Sequence, residues 1–367
     1  MQYQLRAAAQ AARRCAITLV FSFCGMAAGQ AASREPVNYC AYELGRGLVA
    51  EAINNRNQIV GTAAVGDLAQ AFLWDSNRGA RLLGVLPGAA ISLGNDINDL
   101  GQVVGTSGAR PFIWTERDGM RPFATLGGES ATATHINDVG QIIGLSFTAA
   151  EDGEHLYFRD VNGDVEDLGT ARIPFGLTDA GQVGFSTQSQ QPPPTADVFL
   201  WDARKGEREL RGFPENRLIL PSAINNRLHI VGSAVQDDQL PHAMLWTRGQ
   251  GMRFLPSLNE DGASQATDVN SRGTVVGYVD MAFGFPIRPF IWTKRSGTRD
   301  LTTLLAPTSL PLAQADTITA RALNDLGWIA INTSDTVGTN PRAYVLTPKF
   351  RGDESDCAAP PPVFGED

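Results

Sequence analysis

The sequence predicts an all-β protein, a seven-bladed β-propeller of four-stranded blades. Three observations predict it: a nine-residue segment that recurs seven times, its fourth copy degraded to eight residues, an apolar strand usually closed by tryptophan after each copy, and a composition rich in turn residues. The 367 residues include 38 glycines and 21 prolines beside only 19% charged residues, which suits many short strands rather than long surface helices. With 43% apolar residues the chain has ample material for a core, and length alone leaves one large repeat domain or two ordinary domains open.

The recurring segment reads INNRNQIVG at Ile53–Gly61, INDLGQVVG at Ile97–Gly105, INDVGQIIG at Ile136–Gly144, LTDAGQVG at Leu177–Gly184, INNRLHIVG at Ile224–Gly232, VNSRGTVVG at Val269–Gly277 and LNDLGWIAI at Leu323–Ile331. Its second positions, Asn54, Asn98, Asn137, Thr178, Asn225, Asn270 and Asn324, are separated by 44, 39, 41, 47, 45 and 54 residues. A period near 45 fits one four-stranded blade. The apolar residue and its Asn end a first strand. Asn-Asp followed by Gly101, Gly140, Gly181 or Gly327 then makes a tight turn, since Asn and Asp bond the local backbone and Gly accepts positive φ. Leu228 stands in the Gly slot of the fifth copy, which predicts a differently built turn there. The β-branched pairs Ile59-Val60, Val103-Val104, Ile142-Ile143 and Val275-Val276 open a second, buried strand.

The third strand closes at Trp74, Trp114, Phe158, Trp201, Trp246, Trp292 and Leu346, so five of the six tryptophans share one slot. A fourth element ends in Leu-Gly at Leu83-Gly84, Leu126-Gly127 and Leu168-Gly169, continued more loosely by Leu210, Leu258 and Leu304. The last unit stops at its third strand, Arg342–Thr347, whereas a spare strand, Val37–Leu44, precedes the first unit. A ring closes if that N-terminal strand completes the last blade.

Residues 1–33 carry Arg6, Arg13 and Arg14, an apolar run from Cys15 to Ala28 and a small-residue stretch, with no acidic residue. This is a secretory signal peptide, cleaved after Gly29 or Ala31, and its run of about 14 apolar residues falls short of a membrane span. Three domains follow: signal peptide 1–33, propeller 34–350 and a flexible tail 351–367. Loss of the leader takes the formal charge from −9 to −12. That balance argues against nucleic acid and anionic membrane surfaces as partners. Cys40 and Cys357 remain, near the two ends of an exported chain, and are expected to pair as a disulfide that staples the seam.

These repeats resemble those of the extracellular HAF-repeat proteins of bacteria, whose His-Ala-Phe triplet has its nearest counterpart in His242-Ala243-Met244. Gln70-Ala71-Phe72 and Arg342-Ala343-Tyr344 keep the middle residue, and Arg110-Pro111-Phe112 and Arg288-Pro289-Phe290 replace it. The resemblance spans residues 37–347 and implies secretion and repeat architecture, but no catalytic residues.

No segment carries G-x-S-x-G, H-E-x-x-H, a P-loop or a dinucleotide fingerprint. Four constellations are candidates for chemistry. Asp160-Val161-Asn162-Gly163-Asp164 alternates oxygen ligands as calcium prefers, yet lacks a distal bidentate Glu, and Asn162-Gly163 is also a two-residue hairpin signal where third and fourth strands should turn. Gln70, Arg110, Glu154, Asp197, His242, Arg288 and Arg342 share one polar slot at the start of the third strands, either a ligand-binding rim or a set of inter-blade hydrogen bonds. Met281, Phe283 and Phe285 in the sixth unit, and Pro192-Pro193-Pro194 in the fourth, place apolar groups on loops, where binding usually resides. Asp96, His135 and Asp268 share a first-strand slot that elsewhere holds Ala52, Gly176, Ala223 and Ala322. Two carboxylates and an imidazole facing a channel suit acid–base chemistry. The sequence therefore reads as a monomeric, secreted or periplasmic binding or scaffolding module that recognises a glycan or protein on its loop face, without a cofactor unless calcium. The alternatives are a carbohydrate-active hydrolase or lyase and a purely structural cell-surface protein.

Overall fold

The computed structural model describes residues 36, 38–150, 153–189, 195–214, 217–281, 286–307, 312, 315–334, 341–350 and 357. The expected leader, Pro192-Pro193-Pro194, Phe283, Phe285 and residues 351–367 apart from Cys357 lie outside them. The protein is all-β, built of five four-stranded antiparallel sheets, one for each of the first five repeats, and one eight-stranded sheet. The first repeat contributes Leu48–Ile53, Ile59–Val65, Leu68–Asp75 and Gly79–Gly84, and the second Ser92–Ile97, Val103–Ser107, Arg110–Thr115 and Gly119–Pro122. The third comprises Gly127–Ile136, Ile142–Thr148, Glu154–Arg159 and Val165–Thr170. In the fourth the strands are Ile173–Leu177, Val183–Ser189, Thr195–Asp202 and Gly206–Glu209, and in the fifth Ile219–Ile224, Ile230–Val235, Pro241–Thr247 and Gly251–Phe254.

The sixth repeat, Ser264–Val269, Val275–Asp280, Ile287–Thr293 and Gly297–Asp300, merges with the seventh into an eight-stranded sheet through one parallel pairing, Ile287 with Thr317. The seventh supplies only Thr317–Leu323, Ile329–Ser334 and Arg342–Lys349. Its outer partner is the N-terminal strand Asn38–Arg46, antiparallel to Arg342–Lys349 with Cys40 opposite Thr347. Cys40 is bonded to Cys357. Among the described residues no helix is long and apolar enough to cross a membrane.

The core lies between neighbouring sheets. Ile59, Val60, Val103, Val104, Ile142, Ile143, Val275 and Val276 are wholly buried, and the five tryptophans of the repeated slot are buried with them. The fourth strands are shorter than the Leu-Gly pattern predicts. They stop at Pro122, Glu209, Phe254 and Asp300, so Leu126-Gly127, Leu210 and Leu258 lie beyond them and Leu304 falls in a 3-10 turn, Leu301–Leu304. Past the strand ends single backbone bonds continue, Leu210 N–H to Val198 O and Leu255 N–H to Ala243 O at 2.8 Å each, and the leucines serve packing: Leu210 is buried and Leu258 packs partly buried against the core between the fifth and sixth repeats.

The repeated Asn now has a physical cause. In Asn98, Oδ1 accepts the N–H groups of Leu100 and Gln102, while Nδ2 donates to Gln102 Oε1 and to the carbonyl of Asn137 in the next repeat. Asn54 donates likewise to Asn98, Asn137 to Thr178, Asn225 to Asn270, Asn270 to Asn324, and Asn324 to Asn54. One step is missing, because Thr178 carries no amide to reach Asn225. Thr178→Asn is therefore expected to supply the missing donor and raise stability by about 0.5–1.5 kcal/mol, measured by urea unfolding. An unchanged or lower midpoint would contradict this account of the slot.

The fifth turn is not built differently. Leu228 adopts φ 60° and its N–H donates to Asn225 O at 2.9 Å, as Gly101 N–H donates to Asn98 O at 2.9 Å. Asn57 takes the same left-handed conformation in the first repeat. The Asn side chain fixes the turn from both sides, and that outweighs the cost of about 1–2 kcal/mol for a non-glycine residue there.

Candidate functional site

In every repeat the first strand carries a β-bulge at one place. The register skips between Ala50 and Ala52, Gly94 and Asp96, Ala133 and His135, Pro174 and Gly176, Pro221 and Ala223, Ala266 and Asp268, and Ala320 and Ala322. The unpaired residues are Glu51, Asn95, Thr134, Phe175, Ser222, Thr267 and Arg321. A bulge bends its strand and re-aims side chains. All seven of these residues, with Asp96, His135 and Asp268, line one cavity of about 460 Å³ bounded by the first strand of every repeat.

The glycine that ends six of the seven segments lets the two strands approach closely beside this bend. A Cβ on Gly61, Gly105, Gly144, Gly232 or Gly277 would lie 1.9–2.2 Å from a first-strand carbonyl, for example 1.9 Å from Leu93 O at Gly105. The first strand thus crosses the second at backbone contact distance. In the seventh repeat Ile331 takes the slot and is buried in the core.

The three residues expected to face a channel together do so, but their polar atoms are engaged by the frame. Asp96 Oδ1 accepts from Ile97 N at 2.8 Å and Oδ2 from Ile136 N of the next repeat at 2.9 Å. Asp268 does the same, with Val269 N at 2.7 Å and Leu323 N at 2.8 Å. Each carboxylate is a clamp between neighbouring first strands. His135 Nδ1 lies 3.1 Å from Thr134 Oγ1, whose own proton goes to Ile143 O. Thr134 therefore accepts from Nδ1–H, and Nε2 keeps its lone pair.

Loss of solvent pushes Asp96 up to about 7 and Asp268 up to about 6, against the stabilising main-chain N–H groups, and pulls His135 down to about 4. The signs follow. Raised carboxyls make the folded state hold protons that the unfolded chain releases near 4, so their stabilisation is complete below 4 and is lost as pH rises through 6–7. The depressed His135 works in the opposite sense between 4 and 6.5 and is silent above. With two carboxyls against one imidazole, the melting temperature is expected to fall from pH 5 to pH 7.5. Carboxyl-detected NMR should place the Asp96 midpoint near 7; a midpoint near 4 would sink this reading.

Beside these groups Arg321 Nε and Nη2 bond Glu51 Oε2 at 2.8 and 2.6 Å, joining the first and seventh repeats across the cavity wall. Asn95 Nδ2 donates to Ala133 O at 2.7 Å, and Thr267 Oγ1 lies 2.8 Å from Ala320 O. Phe175 is the exception: its ring packs over Gly184 and is 3% exposed, so the fourth repeat offers mainly Gly176 to the cavity. The cavity adjoins a second of about 190 Å³ ringed by Asn55, Asp99, Asp138, Asp179, Asn226 and Asp325 at the repeated turns. There Asp99, Asp138 and Asp179 each accept a main-chain N–H from the preceding repeat. Among the described residues no group of three or more His, Cys, Asp or Glu is arranged to hold a metal ion.

The other candidates sit apart from the cavity. Asp160 turns its carboxylate onto its own loop, where Oδ1 accepts from Asn162, Gly163 and Asp164 N–H at 2.9 Å each. Arg159 pairs with Val165, so five residues form the turn and Asn162-Gly163 is not a two-residue hairpin. Asp160's acceptance of three amides selects the wider loop. Gln70, Arg110, Glu154, Asp197, His242, Arg288 and Arg342 do lie near the start of the third strands, yet they act separately. Arg110 donates to Pro87 O at 2.6 Å and Arg288 to Ala315 O at 2.8 Å, tying third strands to the loops between repeats. His242 Nε2 is 2.7 Å from Asp238, and Arg342 is 3.6 Å from Glu43 on the N-terminal strand. Met281 closes its loop by donating to Pro286 O at 3.0 Å.

Glu51, Asn95, Ser222, Thr267 and Arg321 were not predicted. Strict alternation places them on the face opposite their neighbours, and only the bulge brings both to one side. The available signal was variation: this position carries Glu, Asn, Thr, Phe, Ser, Thr and Arg in an otherwise regular unit.

A scan against protein-family models and a search of curated proteins find no match. Solved structures do resemble the chain. A streptogramin B lyase aligns with TM-score 0.54 at 11% identity over 86% of this chain and 100% of its own. The β-propeller domain of the Trilobed protease from Pyrococcus furiosus aligns with TM-score 0.55 at 10% identity over 86% and 100%. A puromycin hydrolase gives TM-score 0.56 at 13% identity over 79% of this chain and 50% of the hydrolase. At such identities the likeness shows the fold, a β-propeller, which these enzymes put to different uses.

Proposed function

We propose that this protein is an exported, HAF-type repeat propeller of seven blades, closed into a ring by its N-terminal strand, that binds a polar ligand of the glycan class in the axial cavity. The observation that carries the binding reading is the bulge ring: an otherwise repeated frame presents varied polar side chains, from every repeat but the fourth, into one cavity. Glu51, Asn95, Ser222 and Arg321 offer the mixed acceptors and donors that sugar hydroxyls require, and a few placed polar groups in a preformed pocket are the usual basis of such recognition. Closure is supported by the bonds from Asn324 to Asn54, from Arg321 to Glu51, and between Asn332 and Ala50. Export is supported by the leader-like N-terminus and by the disulfide.

The engagement of both oxygens of Asp96 and Asp268 with main-chain N–H groups favours binding over carboxylate catalysis. The test is calorimetry of the leader-free protein against cell-wall and plant oligosaccharides, with product analysis in parallel. The expected result is saturable binding without product, weakened at least tenfold in Arg321→Ala and Asn95→Ala. Product that disappears in Asp96→Asn would replace this reading with a carbohydrate-active enzyme. Absence of binding across the panel would leave a structural surface protein.

A further inference from the structure

A second cleft, of about 350 Å³, lies away from the axial cavity, where the turns of the sixth and seventh repeats meet the paired terminal strands. Its floor includes the buried side chains of Ile291 and Leu323. Its charged lining is Arg272, Lys294, Arg295 and Arg299, with no carboxylate among the described residues that line it. This is a local reversal in a chain of formal charge −9. Elsewhere Arg78, Arg81, Arg117, Arg172, Arg217 and Arg321 are held in ion pairs, while others such as Arg204 and Arg248 are in none among the described residues. Arg272, Lys294 and Arg295 are in none among the described residues, and the last two are exposed on one turn between third and fourth strands.

We infer that this cleft is a second ligand site, for a small anion with an apolar body such as an aryl carboxylate, sulfonate or phosphate. The geometry suits it: the apolar body rests on Ile291 and Leu323 while the anionic head meets the rim cations. Cations within one Debye length, about 8 Å at physiological ionic strength, add their fields. A guanidinium fork also matches a planar or tetrahedral oxyanion. The cleft volume falls within the range of small-molecule sites, about 300–1,000 Å³. None of the rim cations lines the axial cavity, so this inference stands whether or not that cavity binds glycans.

The experiment uses the leader-free protein with naphthalene-2-sulfonate and phenyl phosphate as probes and neutral naphthalene-2-sulfonamide as the comparison, all by calorimetry. The anions are expected to bind at one site, at least tenfold tighter than the sulfonamide. Affinity should weaken at least fivefold between 50 and 500 mM NaCl, because exposed charges are screened. The triple variant Arg272→Ala, Lys294→Ala, Arg295→Ala should lose at least tenfold with an unchanged melting temperature, while Arg321→Ala in the axial cavity leaves probe binding intact. Equal affinity for the sulfonamide, or salt-independent binding, would overturn the inference using the native protein alone. So would full affinity in the triple variant, or in Arg272→Ala if the triple variant fails to fold.

Discussion

Removing the Cys40–Cys357 bridge, as Cys40→Ala with Cys357→Ala, is expected to lower stability by about 5–6 kcal/mol. The bond closes a loop of 317 residues, so it removes conformations from the unfolded chain on a scale that grows with the logarithm of loop length. For a domain of this size each kcal/mol moves the melting temperature by about 1.5 °C, so a decrease of about 8–9 °C should appear by calorimetry. The same shift is expected when the native protein is fully reduced. A melting temperature equal in oxidised and reduced protein would mean that the pairing of Asn38–Arg46 with Arg342–Lys349 holds the termini together unaided.

The second large effect belongs to the strand-crossing glycines. Gly105→Ala would place a Cβ 1.9 Å from Leu93 O and 3.0 Å from the Phe112 ring. Neither neighbour is the free end of a flexible side chain, since Leu93 O belongs to a backbone paired with Val103–Ser107 and Phe112 is wholly buried. Relief requires the bulged strand to move, and overpacking of this kind costs about 3 kcal/mol or more. Urea unfolding should report it directly. Gly249→Ala, which meets open space, should change stability by less than about 0.5 kcal/mol. A Gly105→Ala protein as stable as the parent would show that the crossing is loose and that the bulge does not depend on it.

Much of this fold is readable from the chain because repetition amplifies weak signals. One Asn before a turn means little, but Asn at six of seven equivalent positions implies a side chain bonded the same way each time. The Cys pair was legible for a simpler reason, since the surplus strand at one end and the missing strand at the other bring the termini together. Leu228 misled because turn propensity was judged locally, whereas the Asn225 side chain dictates the turn and the residue complies. The cavity was half legible. Asp96, His135 and Asp268 stood out as charged or ionisable residues in a small-residue slot, but Glu51, Asn95 and Arg321 were hidden by assuming strict period-two strands. A bulge inserts one residue into that period, and only coordinates disclose where.

The borrowed outer strand of the seventh sheet also sets an order of events during biosynthesis. Asn38–Arg46 is made long before its partner Arg342–Lys349, which lies about 300 residues further along the chain. At about 5–20 residues per second, roughly 300 residues separate the two by about 15–60 s. For that interval the emerging polypeptide holds an unpaired β-edge at its leading end, open to chaperones and to the wrong neighbour. The last strand to leave the ribosome is the one that retires it.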